Sequence, residues 1–239
     1  NLKDVVPYGS QDAVLPVVPM FHVNAWGTPY AAPMCGAKLV FPGTKLDGES
    51  LVNLMNDEEI SVSLGVPTIW LALLNHLRQT GQKLNTVKRL IIGGSACPRT
   101  LFEGFGEEFG IDVIHAWGMT EMSPLGTVNM PLQEINKDNK NAYYDQKMPQ
   151  GRTIFGHQMK IIDDSGNELP HDGKTQGKLL SKGYWVLKEY YKEKSEKNKF
   201  SDDGWFETGD VATIDSNGFM TITDRTKDII KSGGEWISS

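Results

Sequence analysis

No stretch of the sequence approaches the ~18 consecutive apolar residues of a membrane-spanning helix, which excludes a helical span within these residues. Cysteine is scarce. Cys35 and Cys97 are the only two in 239 residues, too few for a disulfide framework, so a reducing compartment, and with it the cytoplasm, is the expected location. An excess of positive charge is also missing: 24 Lys and Arg stand against 30 Asp and Glu, for a net charge of -6. That balance excludes nucleic acid as a broadly bound partner. It leaves room for a nucleotide site, because backbone N–H groups and a metal ion can neutralise phosphates locally. There is no internal repeat and no low-complexity tract. The opening residues, Asn1-Leu2-Lys3-Asp4, carry neither an initiator Met nor a leader, and both ends read as cuts from a longer chain.

What is present is an ordinary globular balance, 39% apolar and 23% charged. Short apolar runs alternate with helical patterns over the first half. Val14–Phe21, broken by Pro16 and Pro19, reads as a buried strand entering a loop, and Ala37–Phe41, Ile60–Val66, Val87–Ile92 and Ile111–Ala116 read as further strands. Between them, Ser50 is placed to cap a helix carrying Leu51, Leu54 and Met55. Pro67 opens a helix with Trp70, Leu73, Leu74 and Leu77 on one face and Gly81 past its end. Pro98 opens another that Gly110 ends. Alternation of this kind predicts an α/β fold, a mostly parallel sheet with flanking helices. Gln133–Gln150 is polar and reads as a surface connection. Beyond it, short strands at Met159–Ile162, Lys178–Ser181, Val211–Ile214 and Phe219–Ile222 are punctuated by Gly/Asn/Asp turns, the signature of a small antiparallel, β-barrel-like subdomain. Asp228–Lys231 and Glu235–Ile237 flank Ser232-Gly233-Gly234. The expected organisation is 1–132 as the α/β part, 133–226 as connection and small β subdomain, and 227–239 as the start of a further domain.

Four segments have the residue types that handle phosphate, ribose and metal. In His115-Ala116-Trp117-Gly118-Met119-Thr120-Glu121 a strand runs out into an aromatic residue, a Gly, a hydroxyl and a carboxylate. Ligands of open α/β folds bind beyond the carboxyl ends of the strands. Thr120 can donate to a phosphate, Glu121 can bind Mg²⁺, and Trp117 can stack on a base; a strand end with a turn and a cap explains the same residues. Gly93-Gly94-Ser95-Ala96 also follows a strand, where paired glycines allow close approach of a flat ligand. In Trp205-Phe206-Glu207-Thr208-Gly209-Asp210 the Asp at the end of a turn can accept hydrogen bonds from a ribose diol, or the segment is a surface turn. Thr223-Asp224-Arg225-Thr226-Lys227-Asp228 offers Arg225 to phosphate or ribose, or is a solvated charged stretch.

Taken in order, Gly93–Ala96, Trp117–Glu121, Thr208–Asp210 and Asp224–Lys227 resemble the four shared motifs of the adenylate-forming superfamily of acyl-CoA synthetases, luciferases and peptide-synthetase adenylation domains. Pro19-Met20-Phe21-His22-Val23-Asn24-Ala25-Trp26 and the closing run Asp228–Ser239 resemble its medium- and long-chain fatty acyl-CoA synthetase branch. The resemblance implies an enzyme that joins a carboxylic acid to ATP, releases pyrophosphate, and passes the acyl group from the adenylate to CoA. It implies ATP/AMP and Mg²⁺ as cofactors, a fatty acid and CoA as substrates, and short, methylthio or aryl acids as the alternative acid class. A non-catalytic adenylate-binding module is the rival of another class. A homodimer and a peripheral membrane contact are further expectations carried with the family.

Position by position, the resemblance makes Glu121 the Mg²⁺ ligand and Thr120 a phosphate contact. Trp117, where the family usually has Tyr, and Gly94 flank the adenine, with Gly93, Ser95, Ala116, Gly118 and Met119 in the same nucleotide site. Asp210 holds the ribose hydroxyls and Arg225 backs ribose and phosphate. His22 lies near the reacting carboxylate and Trp26 gates the acyl tunnel; a core aromatic is the alternative for Trp26. Lys227 is the hinge of a small C-terminal domain, and Gly233 and Gly234 face the pantetheine tunnel. The family's phosphate loop and adenylation Lys are missing from these residues, so the 239-residue chain alone is expected to be inactive or nearly so.

Overall fold

The computed structural model describes residues 8–132, 139–192 and 199–225, together with the backbone of 230–232 and 235–237. Five strands, β1 (Ala13–Pro16), β2 (Lys38–Leu39), β3 (Val62–Gly65), β4 (Arg89–Ile92) and β5 (Asp112–Gly118), run parallel in the order β2-β1-β3-β4-β5. Two antiparallel strands, β6 (Leu125–Val128) and β7 (Arg152–Thr153), extend this sheet past β5. Successive side chains on a strand point to opposite faces, and the sheet is buried on both. Leu15, Leu90, Ile92 and Val113 enter one core, while their neighbours Val14, Ile91 and Ile114 enter another.

The first core is closed by helices. In α1 (Thr28–Met34) Ala31 and Ala32 face the second core instead. In α2 (Gly48–Asp57) Leu51 and Met55 pack inward, and in α3 (Pro67–Thr80) Trp70, Leu73, Leu74 and Leu77 form the expected stripe, ended by Gly81 at φ 71°. Each such side chain contributes about 1.5–3 kcal/mol on full burial. The cap of α2 differs from the sequence expectation. Asp47 accepts from the Ser50 N–H at 2.9 Å, and Ser50 lies inside the helix with its hydroxyl donating back to Asp47. The Asp47 carboxylate, three residues upstream, satisfies this otherwise orphan N–H, so Ser50 is not needed as the cap. Helix α4 (Arg99–Glu103) starts after Pro98 and continues as a π-helical turn over Gly104–Glu108.

The polar connection also departs from expectation. Lys140–Lys147 forms helix α5, with the Asn139 side chain accepting from the Ala142 N–H at 3.2 Å. Its buried face is unusual in composition, which hid it in the sequence: Tyr144 packs into the first core, and Lys147, 3% exposed, is ion-paired with Asp112 and lies 5.3 Å from the Tyr143 ring.

The small antiparallel unit is a four-stranded sheet, β11-β10-β9-β8, built from β8 (His157–Ile162), β9 (Gly177–Gly183), β10 (Phe206–Ile214) and β11 (Met220–Arg225). The backbone of β12 (Ile230–Ser232) pairs antiparallel with β13 (Glu235–Ile237). No helix among the described residues is long and apolar enough to cross a membrane. Two buried histidines stitch the sheets and loops. His157 lies between the two sheets: its Nδ1–H donates to the Gly126 carbonyl at 2.8 Å, which leaves Nε2 to accept from the Ser181 hydroxyl. The Nδ1–H of His115 donates to the Met148 carbonyl at 2.7 Å.

Burial pushes both imidazoles below their ordinary value of 6.5, outweighing the hydrogen bonds that raise it. Both are neutral in the folded state, whereas the unfolded chain takes up protons as the pH falls through 6.5. Their contribution to stability is therefore complete above that pH and declines below it, down to the lowered folded pKa values. Urea midpoints at pH 7.5 and about 5.5 check this: the lower pH is expected to give the lower midpoint, and His157→Gln is expected to shrink the difference.

Candidate active site

The carboxyl ends of β4 and β5 lie side by side, since Ile92 is the register partner of His115. Each strand therefore delivers its motif to the same edge of the sheet. Beyond β4, Gly93 is buried, while Gly94, at φ 83°, and Ser95 are exposed. Beyond β5, Met119 is half-buried, Thr120 is exposed and Glu121 half-buried in a short 3₁₀ turn, Thr120–Met122. The packing gives the glycines different roles. A β-carbon on Gly93 would stand 3.0 Å from the Ala116 carbonyl and 3.4 Å from the Trp26 ring, so this turn is in close contact with its neighbours already. At Gly118 a β-carbon would fall 1.9 Å from the Pro124 carbonyl oxygen. Gly118 thus admits the returning chain, a need independent of any ligand.

Trp26 arrives by an uncommon route. Val23, Asn24, Ala25 and Trp26 all have positive φ, between 46° and 55°, and form one left-handed turn before Gly27. Left-handed helical geometry costs roughly 1–2 kcal/mol per non-glycine residue. The turn is held by the Gly27 N–H donating to the Val23 carbonyl at 3.2 Å and by the buried Thr28 hydroxyl donating to the Ala25 carbonyl at 2.6 Å. It sets the half-buried indole against Gly93 and Gly94. There a cavity of about 100 Å³ opens. His22, Trp26, Gly93 and Gly94 line it together with Ala116, Trp117, Gly118, Met119 and Thr120. Tyr8, Leu64, Ile91 and Leu125 belong to its apolar wall. No short motif marks these four in the sequence; only the strand order brings them here.

Trp117 is buried, with the ring in the core shared with the second sheet, among Met122, Ile161, Ala212 and Met220. A β-carbon on Gly126 would meet the ring at 2.7 Å, so the glycine on β6 makes room for the indole. Trp117 is 8% exposed, and it also lines the cavity. Its edge does the work: Nε1–H donates to Asp210 Oδ2 at 3.1 Å. Thr208-Gly209-Asp210 is likewise not a surface turn. It lies inside β10 as an irregularity in the pairing with β9, with Gly209 at φ 82°. The bulge re-aims Asp210. Across the β10–β11 pair Asp210 faces Arg225, whose Nε stands 3.7 Å from Oδ1. Burial raises the Asp210 pKa, against the lowering effect of the Trp117 hydrogen bond and the Arg225 charge.

Glu121 and Asp210 do not line the cavity, and Arg225 is largely exposed beside Asp210. Lys227, Gly233 and Gly234 lie outside the described residues. A residue that the sequence reading missed is Tyr190, whose hydroxyl donates to Glu121 Oε1 at 2.8 Å. It sits in the charged run Lys188–Lys192, where nothing local distinguishes it from Tyr191.

Parallel strands that end in a glycine turn and a hydroxyl–carboxylate turn, with a buried Asp approached from a second sheet, define a nucleotide-site α/β protein. The chain belongs to the AMP-binding enzyme family, whose model matches residues 2–191. Over 239 residues it is 54% identical to the 3-methylmercaptopropionyl-CoA ligase of Ruegeria lacuscaerulensis, covering all of this chain and 44% of that protein. Over 241 residues it is 51% identical to the medium-chain fatty acid–CoA ligase of Ectopseudomonas oleovorans, covering all of this chain and 43% of that protein. A solved O-succinylbenzoate coenzyme A synthetase from Bacillus subtilis, in complex with ATP and magnesium ion, matches with a TM-score of 0.80 at 25% identity, over 96% of this chain and 45% of that one. The chain spans less than half the length of these relatives.

Trp117→Phe keeps an aromatic ring and removes the indole donor. The donor favours the ionised carboxylate, so its loss is expected to raise the Asp210 pKa further. A carboxyl-carbon NMR titration of Asp210 in the two proteins reads this directly, and an unmoved titration would contradict the assigned hydrogen bond.

Proposed function

We propose that the protein carrying this chain is an AMP-forming acid–CoA ligase, acting on a fatty acid. The observation that carries the reading is the convergence of His22, Trp26, Gly94 and Thr120 on one apolar cavity, with Trp117 joining that cavity to Asp210. In the first half-reaction a carboxylate oxygen attacks the α-phosphorus of ATP and the bond to pyrophosphate breaks. In the second, the CoA thiolate attacks the acyl carbon and AMP leaves. A carboxylate is a weak nucleophile, so the protein's part is alignment and charge stabilisation. The Gly93–Ser95 turn and the end of β5 receive the adenine and Asp210 accepts from the ribose hydroxyls, with Arg225 beside it. Thr120 donates to phosphate, and His22 stands by the acid's carboxylate. Lys227, as hinge, and Gly233 and Gly234, toward pantetheine, belong to the same proposal.

The donor set suits Mg²⁺. No group of three or more His, Cys, Asp or Glu side chains that could cage a metal occurs among the described residues. Mg²⁺ characteristically binds one or two carboxylates together with substrate phosphates and water, and Glu121 offers one carboxylate beside Thr120. When bound, the ion would neutralise charge on the phosphates.

A second reading of the acid has its own support. With Trp26 lining the cavity, a short acid such as a methylthio-alkanoate is the alternative substrate, in keeping with the 54% identical relative.

Exchange of radiolabelled pyrophosphate into ATP by the full-length protein, over a series of acids, tests both readings. Fatty-acid-dependent exchange supports the first and preference for short methylthio acids the second, whereas nucleotide binding with no exchange for any acid favours a binding module. Glu121→Gln is expected to lower adenylation by about 10²–10³. Asp210→Ala is expected to raise KM for ATP about tenfold or more, because the ribose does not react. Wild-type ATP kinetics in either variant would displace the motif assignment.

For Trp26, the gate reading expects Trp26→Ala to admit longer or bulkier acids with a modest change in Tm. A core role expects a loss of ~3–5 kcal/mol with unchanged selectivity. Acid selectivity and melting temperature, measured side by side, decide between them.

A further inference from the structure

The segment after β9 is laced to the turn that carries Thr120 and Glu121. The Leu187 N–H donates to the Glu121 carbonyl at 2.8 Å, and the Ser123 hydroxyl donates to the Trp185 carbonyl at 3.1 Å. The Trp185 indole N–H donates to the Leu125 carbonyl at 3.2 Å. At the end of this strap the Tyr190 hydroxyl reaches the Glu121 side chain itself, donating to Oε1 at 2.8 Å. Tyr190 is half-buried with Lys199 Nζ 5.4 Å from its ring, while its neighbour Tyr191 is 88% exposed. The backbone bonds fix where residue 121 sits, and the phenol fixes where its carboxylate points.

From this we infer that Tyr190 is the positioning residue for the Glu121 carboxylate, orienting it to bind a divalent cation on the phosphates of a bound nucleotide. The inference rests on the proposed role of Glu121. A free glutamate side chain has three rotatable bonds and would lose that freedom each time a cation bound. With Oε1 already engaged by Tyr190, Oε2 is the oxygen left for a hard cation. Partners of this kind hold ligating groups in place, and their loss typically costs about 10–100-fold in metal affinity. The strap also ties nucleotide chemistry on β5 to the second sheet by a route separate from the Trp117–Asp210 bond.

The test compares wild type, Tyr190→Phe and the control Tyr191→Phe in the full-length protein. Manganese(II) serves as the probe, titrated by electron paramagnetic resonance in the presence of saturating β,γ-imido-ATP. Tyr190→Phe is expected to weaken Mn²⁺ binding about tenfold, leave the nucleotide's own affinity in the absence of metal unchanged, and keep Tm within a few degrees. Tyr191→Phe is expected to match wild type. In a Glu121→Gln background Tyr190→Phe should add no further loss, because its partner's charge is gone. Unchanged Mn²⁺ affinity in Tyr190→Phe, or an equal added loss in the Glu121→Gln background, overturns the inference while leaving the ligase reading standing. A wild-type protein that binds no nucleotide overturns that reading, and the inference with it.

Discussion

A single hydrogen bond of 3.1 Å, from the Trp117 indole to Asp210, joins two sheets that the chain builds 93 residues apart. Trp117 lies one residue before the end of β5, in the parallel sheet; Asp210 sits in the bulge of β10, in the antiparallel one. The ring that donates this bond is also a member of the core between them, with Met122, Ile161, Ala212 and Met220. Apolar burial and polar orientation are therefore supplied by one side chain. Glycine at 126 makes room for the ring, and glycine at 209 lets the strand bulge toward it. Both glycines serve an indole that is buried in the core between the sheets and still reaches a carboxylate.

The same economy appears around the second carboxylate. Glu121 is held by a strap whose hydrogen bonds to residues 121, 123 and 125 come from a loop after β9. Thus both carboxylates stand at the ends of the parallel strands or against them, and both are bonded by aromatic donors far along the chain. Neutral aromatic donors orient a carboxylate without cancelling its charge, as a nearby lysine would. Arg225 stays at 3.7 Å from Asp210 and mostly in solvent, where its attraction is screened. On the other side of the cavity, the left-handed turn that carries Trp26 is the strained counterpart. Its hydrogen bonds and the packing of Ala25 hold it in a geometry the isolated sequence disfavours.

Much of this was legible in the residues. Alternating strands and helical stripes gave the parallel sheet, because apolar periodicity reports burial directly: Trp70, Leu73, Leu74 and Leu77 are all buried. The order of the four motifs pointed to the family, and the turn residues between Val211–Ile214 and Phe219–Ile222 marked the β10–β11 hairpin. What escaped were features whose cause is non-local. Helix α5 buries a tyrosine and a paired lysine instead of an aliphatic stripe, so its segment read as a polar connection. Thr208-Gly209-Asp210 read as a turn because a glycine bulge inside a strand has the same local composition.

The sequence by itself determined the α/β character, the strand-end placement of Gly93–Ser95 and Trp117–Glu121, and the residue types able to meet phosphate, ribose and a hard cation. Those follow from local patterns, each readable within a dozen residues. Only the tertiary structure decided which atoms of those residues are free. It made Trp117 a buried donor to Asp210, made Gly118 a packing requirement, and set Trp26 against the glycine turn. It also selected Tyr190 over Tyr191 as the partner of Glu121. The physical reason is range. Periodicity and propensity act along the chain over a few residues, whereas the direction of a hydrogen bond depends on strands and loops 69 or 93 residues away.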